Sequence, residues 1–177
     1  MRDIRKNPLI SPVPLAEKPI IARLMQLYMH DFSEFARAGD PNGDVYEDGA
    51  FRYPHLDSYW EEAGREPLVF RAEGKIAGFA FVSGWSASGL ASDYSIAEFF
   101  VLRKYRRAGV GKHAAIEIIT HRPGIWEIPV AQANRPALAF WRSVVASMDG
   151  FQVEELAGDG QRWTGPIQRI TPVANPL

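Results

Sequence analysis

Apolar positions recur along this chain with two different periods, and these periods divide it into helices and strands. Apolar residues spaced three and four positions apart, from 15 to about 35, predict a long helix. Compact runs rich in Val, Ile and Phe, bounded by Gly and Pro, predict strands. The predicted strands are 9–13, 66–72, 75–85, 96–102, 124–132, 151–157 and 161–170, and the other predicted helices are 56–63, 110 to about 121 and 134 to about 148.

These elements follow one another in the order βααβββαβαββ, which indicates an α+β fold. We expect a mixed, mostly antiparallel sheet with helices on both faces, formed by one domain over residues 1–177. Glu73-Gly74 is a tight-turn signal and predicts a hairpin between the second and third strands. Pro166 places the last strand at a sheet edge or interrupts it, because proline cannot donate to a strand ladder.

Composition removes several classes of function. The hydrophobic fraction of 46% argues against disorder, and the net charge of -1 gives no general attraction to nucleic acid or to a membrane. With no cysteine, the chain has no thiolate metal site and no cysteine nucleophile, and its histidines show no ligand spacing. We therefore expect no metal. Without a long apolar run or a signal-peptide pattern, the expected location is the cytoplasm.

The most informative stretch is 95–121, which combines a predicted strand, a basic glycine loop and a predicted helix. The first amides of a helix have no partners within the helix, and glycines let a ligand approach the backbone, so this layout suits phosphate. A basic turn before a surface helix is the plainer alternative. The loop is neither G-x-x-x-x-G-K-[ST] nor G-x-G-x-x-G, since Ala114 takes the place of the third glycine.

Two segments resemble a known family. Residues 106–111 read RRAGVG and fit [QR]-x-x-G-x-[GA], the coenzyme A loop of the GNAT superfamily of N-acetyltransferases. Asn134, Ala137, Phe140 and Trp141, followed by Gly150-Phe151, resemble the family segment N-x-x-A-x-x-[FL]-Y…GF. The segment EFFVLRKYRR also resembles the sequences of a bacterial subgroup described as predicted acetyltransferases. The resemblance implies the GNAT fold, in which the fourth and fifth strands splay apart to admit acyl-CoA.

The resemblance also implies acetyl transfer from acetyl-CoA to a primary amine by direct attack. The amine would belong to a small molecule or a peptide, with no nucleic acid or membrane as partner, and the protein would be a monomer or a homodimer. The residues that the resemblance assigns to acetyl-CoA binding are Phe99, Phe100, Val101, Arg106, Arg107, Ala108, Gly109, Val110, Gly111, Lys112, Asn134, Phe140 and Trp141.

Glu98 is the candidate catalytic base, because it is an acidic residue inside an otherwise apolar strand. Burial would raise the pKa of its carboxyl group, which favours proton transfer near neutral pH. A basic partner or a solvent-facing edge position is the competing interpretation. In the family, a backbone N–H of the same strand stabilises the oxyanion. We assign that role to Phe100 or a neighbour, freed by a β-bulge at Phe99-Phe100.

Trp141 departs from the family pattern, which has a tyrosine there that protonates the departing thiolate. Indole is no practical acid, so Tyr53, Tyr59 and Tyr94 are possible substitutes, or the thiolate leaves unassisted. This departure keeps an alternative open, in which the chain is a non-catalytic acyl-CoA sensor or interaction module. The acidic, glycine-broken loop 39–54 would border the acceptor site and suit a cationic acceptor.

Overall fold

Seven strands form a single sheet in the part of the chain that the structure describes, residues 7–37, 39, 40 and 43–173 of a computed structural model. The sheet order is β1-β2-β3-β4-β5-β7-β6. Every pair is antiparallel except β4 and β5, which run parallel. The strands are β1 Leu9–Pro12, β2 Glu66–Ala72, β3 Lys75–Ser83, β4 Tyr94–Val101, β5 Trp126–Pro129, β6 Phe151–Ala157 and β7 Pro166–Pro172.

Four α-helices connect these strands within the described residues, and the predicted order βααβββαβαββ is confirmed. The helices are α1 Lys18–Phe32, α2 Ser58–Glu61, α3 Val110–Thr120 and α4 Arg135–Val145. The helix predicted over 15–35 is α1 with a 3-10 turn at each end, Leu15–Glu17 and Ser33–Phe35. Asn134 caps α4, because its side chain accepts a hydrogen bond of 3.0 Å from the Ala137 amide.

Alternation along the strands sends side chains into two cores, one on each face of the sheet. Leu68 and Phe70 pack in the core under α3 and α4, whereas Val69, Phe79 and Phe81 pack in the core under α1 and α2. A chain with helices on both sides of a sheet needs both faces of its central strands to be apolar, and β2 and β3 meet that need.

The turn predicted at Glu73-Gly74 is confirmed, and both residues have positive φ, 53° and 73°. The prediction that Pro166 places the last strand at a sheet edge or interrupts it is wrong. Pro166 is the first residue of β7, which lies between β5 and β6, so β6 forms the edge of the sheet. A proline at the first position of a strand leaves the rest of the ladder intact, which explains why it does not push β7 to the edge.

The predicted bulge lies earlier in β4 than expected. Phe81 pairs with Glu98 and Val82 pairs with Ile96, so Ala97 is the extra residue, while Phe99 and Phe100 pair regularly. An extra residue reverses the alternation on one side of it. Ile96 therefore joins the core under α3 and α4, whereas Glu98 points to the face that carries α1.

Candidate active site

A gap between β4 and β5 forms the centre of the site. The two strands pair only at Tyr94–Trp126 and Ser95–Glu127, and they separate beyond these residues. A cavity of about 710 Å³ opens there. Ile96–Phe99 line it from one strand, and Ile128–Ala131 line it from the other strand and the residues after it. The volume falls within the usual range for small-molecule sites.

The backbone of β4 offers donors to this gap, though from neighbours of the predicted residue. The Leu102 amide donates to the carbonyl of Ala77 in β3 at 2.8 Å, and Phe100 is in register with Phe79 of the same strand. Amides alternate in direction along a strand, so the Phe100 amide also faces β3. The amides of Phe99 and Val101 face the open side. The role that we assigned to Phe100 is thus better suited to these two residues.

The glycine loop has the geometry of a phosphate cradle. α3 begins at Val110, and Gly109 caps it in the left-handed region with a φ of 84°. A side chain at Gly111 would lie 3.2 Å from Val101 Cγ2 and 3.5 Å from the Phe140 ring, so the loop packs closely on β4 and α4. The first turn of α3 has amides without partners inside the helix, and it carries the positive end of the helix dipole. These features fit the pyrophosphate of coenzyme A.

Asp31 of α1 holds one arginine before this loop and one at its start. Its two carboxylate oxygens lie 2.6 Å from Arg103 and 2.5 Å from Arg106, and Arg106 Nε also donates to the Val101 carbonyl at 2.7 Å. Partial burial acts to raise the pKa of Asp31, but the bonds from the two guanidinium groups outweigh it and lower that pKa. Among the described residues we find no ion pair for Arg107 or Lys112, which leaves their charges for a ligand.

Glu98 lies in the cavity among phenols. The Tyr28 hydroxyl donates to Glu98 Oε2 at 2.5 Å, and the Tyr53 phenol lies close enough to this carboxyl group to affect its pKa. Burial raises the pKa of Glu98 from its ordinary 4.5 to about 7, and the two phenols reduce that rise because they stabilise the carboxylate. Within the described part of the chain no basic side chain pairs with Glu98, so the competing interpretation of an ion-paired glutamate does not hold there.

Two aromatic rings connect Glu98 with an arginine along the cavity wall. Tyr53 and Tyr59 line the cavity together with Glu98, and the guanidinium carbon of Arg65 lies 5.3 Å from the centre of the Tyr59 ring. Burial and the nearby Glu98 charge raise the pKa of Tyr59 to about 12 and raise the pKa of Tyr53 further.

Comparison with known proteins identifies a family that agrees with the gap between β4 and β5 and with the glycine loop. The family model described as "Acetyltransferase (GNAT) family" matches residues 21–144, which include most of α1, the glycine loop and most of α4. The chain belongs to the GNAT acetyltransferase family. Acyl transfer is the activity of this family, and its members use acetyl-CoA. No curated protein matches the chain in sequence.

Solved structures of other acetyltransferases share the fold at low sequence identity. An acetyltransferase from Thermus thermophilus has a TM-score of 0.62 at 17% identity, covering 94% of this chain and 97% of that one. The ribosomal-protein-S18-alanine N-acetyltransferase from Escherichia coli has a TM-score of 0.53 at 14% identity, with 96% of each chain covered. The PaiA N-acetyltransferase from Thermoplasma acidophilum, in complex with coenzyme A, has a TM-score of 0.53 at 11% identity. The match covers 94% of this chain and 99% of that one.

At the GNAT tyrosine position, Trp141 packs against two phenylalanines. Its ring centre lies 5.0 Å from those of Phe99 and Phe140, edge to face in both cases. Trp141 is buried and lines the cavity together with Asn134, whose side chain also caps α4. Tyr94 stacks on Trp126 at 4.8 Å and does not line the cavity, whereas Tyr53 and Tyr59 do.

The described part of the acidic loop 39–54 contributes no carboxylate to the cavity lining, which differs from the sequence-based expectation. Asp44 and Glu47 are exposed and do not line the cavity, and Asp48 pairs with Arg52. The lining part of the loop is Arg52, Tyr53, Pro54 and His55. The predicted loop includes residues 41 and 42, which lie outside the described residues. Sequence reasoning did not place Tyr28, Arg52 or Arg65 at the cavity, because none of them belongs to a family motif.

Two absences are limited to the residues that the structure describes. Within residues 7–37, 39, 40 and 43–173, no three or more acidic, histidine or cysteine side chains come together as a metal site. No helix in the same ranges has the length and apolar character needed to cross a bilayer.

Proposed function

We propose that the protein transfers an acetyl group from acetyl-CoA to an amine, by direct attack of the amine on the thioester. The observation that carries the proposal is Glu98, a carboxyl group with a pKa raised to about 7, placed in the gap between β4 and β5. A base with a pKa near the working pH combines a deprotonated form with useful proton affinity.

The proposed coenzyme A site consists of the glycine loop and the start of α3. The amides from Gly109 to Lys112 would hold the pyrophosphate, with Arg107 and Lys112 as the nearby cations that make no ion pair in the described chain. Arg106 would shape the loop through its bonds to Asp31 and to the Val101 carbonyl. Acetyl-CoA supplies an activated carbonyl carbon and a thiolate leaving group.

The attack of the amine on the thioester needs a proton acceptor and a hydrogen-bond donor to the developing oxyanion. Glu98 takes the proton that the attacking amine loses, directly or through one water. The amides of Phe99 and Val101 face the gap and would donate to the carbonyl oxygen on which negative charge develops. One such donor contributes about 3–4 kcal/mol to a barrier. A carbon–nitrogen bond forms, the carbon–sulfur bond breaks, and the thiolate later takes a proton from a nearby donor or from solvent.

The leaving thiolate needs little help. A thiol pKa of about 8.5 makes the thiolate a tolerable leaving group near neutral pH. Trp141 would then serve as an apolar wall for the thioester arm, together with Phe99 and Phe140. This explains how a transferase could function without the usual tyrosine at this position.

The test combines acetyl-CoA calorimetry with a broad screen of amines, followed by detection of free coenzyme A. We expect saturable acetyl-CoA binding and acetylation of at least one amine. Gly109→Ala should weaken binding, because alanine disfavours the φ of 84° that shapes the loop. Gly49→Ala is the matched control: its φ of 77° imposes a similar strain in an exposed turn outside the cavity. Equal acetyl-CoA affinity in both variants would contradict the proposed loop.

The second candidate function is a non-catalytic acyl-CoA sensor, and the absence of a phenol at Trp141 is the observation that favours it. The two functions differ in one measurement. A sensor binds acetyl-CoA and releases no coenzyme A with any amine, whereas the proposed enzyme releases it in step with product.

A further inference from the structure

The acceptor end of the cavity carries two permanent positive charges that the sequence did not suggest. Arg52 and Arg65 both line it, and Glu98 is the acidic side chain among its lining residues. Asp48 and Glu62, the ion-pair partners of the two arginines, are not lining residues. The two arginines therefore line the cavity, and the carboxylates that pair with them do not.

Both guanidinium groups keep donors available for a ligand. Arg52 uses Nη2 toward Asp48, at 2.5 Å, and Arg65 uses Nε toward Glu62, at 2.7 Å. A guanidinium carries several N–H groups in a fixed plane, and that plane suits a carboxylate. The Arg65 side chain is 27% exposed, so it is partly shielded from water and its charge acts more strongly than a fully solvated one would.

Two phenols line the cavity together with both kinds of charge. Tyr53 and Tyr59 share the cavity wall with Glu98 and Arg65, and the Arg65 guanidinium carbon lies 5.3 Å from the centre of the Tyr59 ring. Tyr28 and Phe32 line the cavity beside Glu98 and add apolar surface. A ligand that matches this arrangement has an amine at one end, an anion at the other and an apolar body.

We propose that the acceptor is a small amino acid, meaning an amine that also carries a carboxylate. Its amine would lie at Glu98 and its carboxylate at Arg52 and Arg65, with His55 as a further donor at the rim. This inference rests on the proposed acetyl transfer and narrows its substrate class. It replaces the cationic acceptor that the acidic loop suggested.

The test compares acceptors that differ only in the carboxylate. Phenylalanine and phenylalaninamide form one pair, and 6-aminohexanoate and hexylamine form a second pair with a longer spacing. Transfer is measured as coenzyme A release. We expect the carboxylate member of at least one pair to have the higher kcat/KM by about tenfold or more, mostly through KM, because a charge-assisted pair would be lost without it.

Three variants locate the effect. Arg52→Gln and Arg65→Gln should each reduce the preference for the carboxylate by about tenfold and leave acetyl-CoA affinity unchanged. Arg142→Gln is the control, since Arg142 of α4 pairs with the exposed Glu155 and does not line the cavity. The control should keep the full preference.

The outcomes separate this inference from the function on which it rests. Acetylation of the member without a carboxylate in each pair at an equal or higher rate would overturn the amino-acid acceptor and leave acetyl transfer standing. A carboxylate preference that survives in both arginine variants would also overturn it. Acetyl-CoA binding without transfer to any amine would overturn the proposed function, and the inference with it.

Discussion

The pairing of Glu98 with Phe81 places its carboxyl group on the face of the sheet that carries α1. The extra residue in β4, Ala97, lets Ile96 face the opposite core, under α3 and α4. The carboxyl group of Glu98 therefore meets the Tyr28 hydroxyl, and burial raises its pKa to about 7. Strand register and burial together create the group that we propose as the base.

Glu98→Gln tests that base through its pH dependence. Once an acceptor is known, the variant should lower kcat/KM by about 10²–10⁴ and leave acetyl-CoA affinity nearly unchanged. In the unmodified protein, activity should fall as pH drops through about 7, because the base becomes protonated there. Full activity of the variant on both sides of neutrality would remove Glu98 from the mechanism.

The same substitution should affect stability with a defined sign. The pKa of Glu98 is about 7 in the folded protein and near 4.5 when unfolded, so between these values the folded state keeps a proton that the unfolded state has lost. The free energy of unfolding contributed by this group therefore falls as pH rises through that window. The Tm of Glu98→Gln, relative to the unmodified protein, should be higher at about pH 8 than at about pH 4.

Trp141 is tested by two variants that differ in one hydroxyl. Trp141→Tyr and Trp141→Phe both shrink the ring that packs on Phe99 and Phe140, so their comparison isolates the acid. We expect similar turnover rates for the two, because the thiolate leaves without an acid here. A rate for the tyrosine variant more than about tenfold above the phenylalanine variant, worth about 1.4 kcal/mol, would show that protonation limits the reaction.

At the scale of elements, α1 positions the acceptor loop through one side chain. Gln26 accepts from the Phe51 amide at 2.8 Å and donates to the Phe51 carbonyl at 3.1 Å, as a neighbouring strand would. Phe51 is buried, and the chain then continues directly into Arg52 and Tyr53, which line the cavity. α1 therefore supplies Tyr28 to the site and also fixes the segment that supplies Tyr53.

Gln26→Leu should loosen this segment without disturbing the coenzyme loop. We expect faster amide exchange at residues 51–55 and an acceptor KM about tenfold higher, because two hydrogen bonds at a partly buried backbone are lost. Acetyl-CoA affinity should stay the same. Gln26→Glu is the graded control, since it can still accept from the Phe51 amide but cannot donate to its carbonyl. A leucine variant with unchanged exchange and KM would refute the positioning role.

At the scale of the whole molecule, a buried carboxylate ties together parts of the chain that are distant in sequence. Glu127 of β5 has no exposed surface, and it accepts from Ser86, from the amides of Ala87 and Ser88, and from Arg169 of β7 at 2.7 Å. Arg169 in turn donates to the Ala91 carbonyl at 2.6 Å. This network holds the 84–93 loop, which carries Trp85 at the cavity wall, against the sheet.

Glu127→Gln should destabilise the protein strongly, because it leaves the largely buried Arg169 without its counter-charge. The expected loss is about 3–5 kcal/mol in the free energy of unfolding. Arg142→Gln breaks an exposed pair instead and should cost about 1 kcal/mol or less. Chemical denaturation of both variants measures the difference, and equal losses would show that the network contributes no more than a surface pair.

The sequence predicted most of the framework and only part of the site. Periodicity was enough for the element order, and the glycine loop and Glu98 were recognisable because they break the pattern of their own elements. Tyr28 was not recognisable, since its position in an apolar helical stripe says nothing about a carboxyl group 70 residues away. Neither the bulge at Ala97 nor the inward-facing Arg52 and Arg65 leaves a local signal, because both depend on how distant segments pack.

Three of the five tryptophans, Trp85, Trp141 and Trp163, line the cavity, and this placement makes the protein its own optical probe. Indole emission changes in intensity and wavelength when water around the ring is displaced. Trp126 is fully buried elsewhere and should contribute a constant background. Ligand titrations can therefore be followed by intrinsic fluorescence without a label, and Trp141→Phe would separate the signal of the thioester channel from that of the rim.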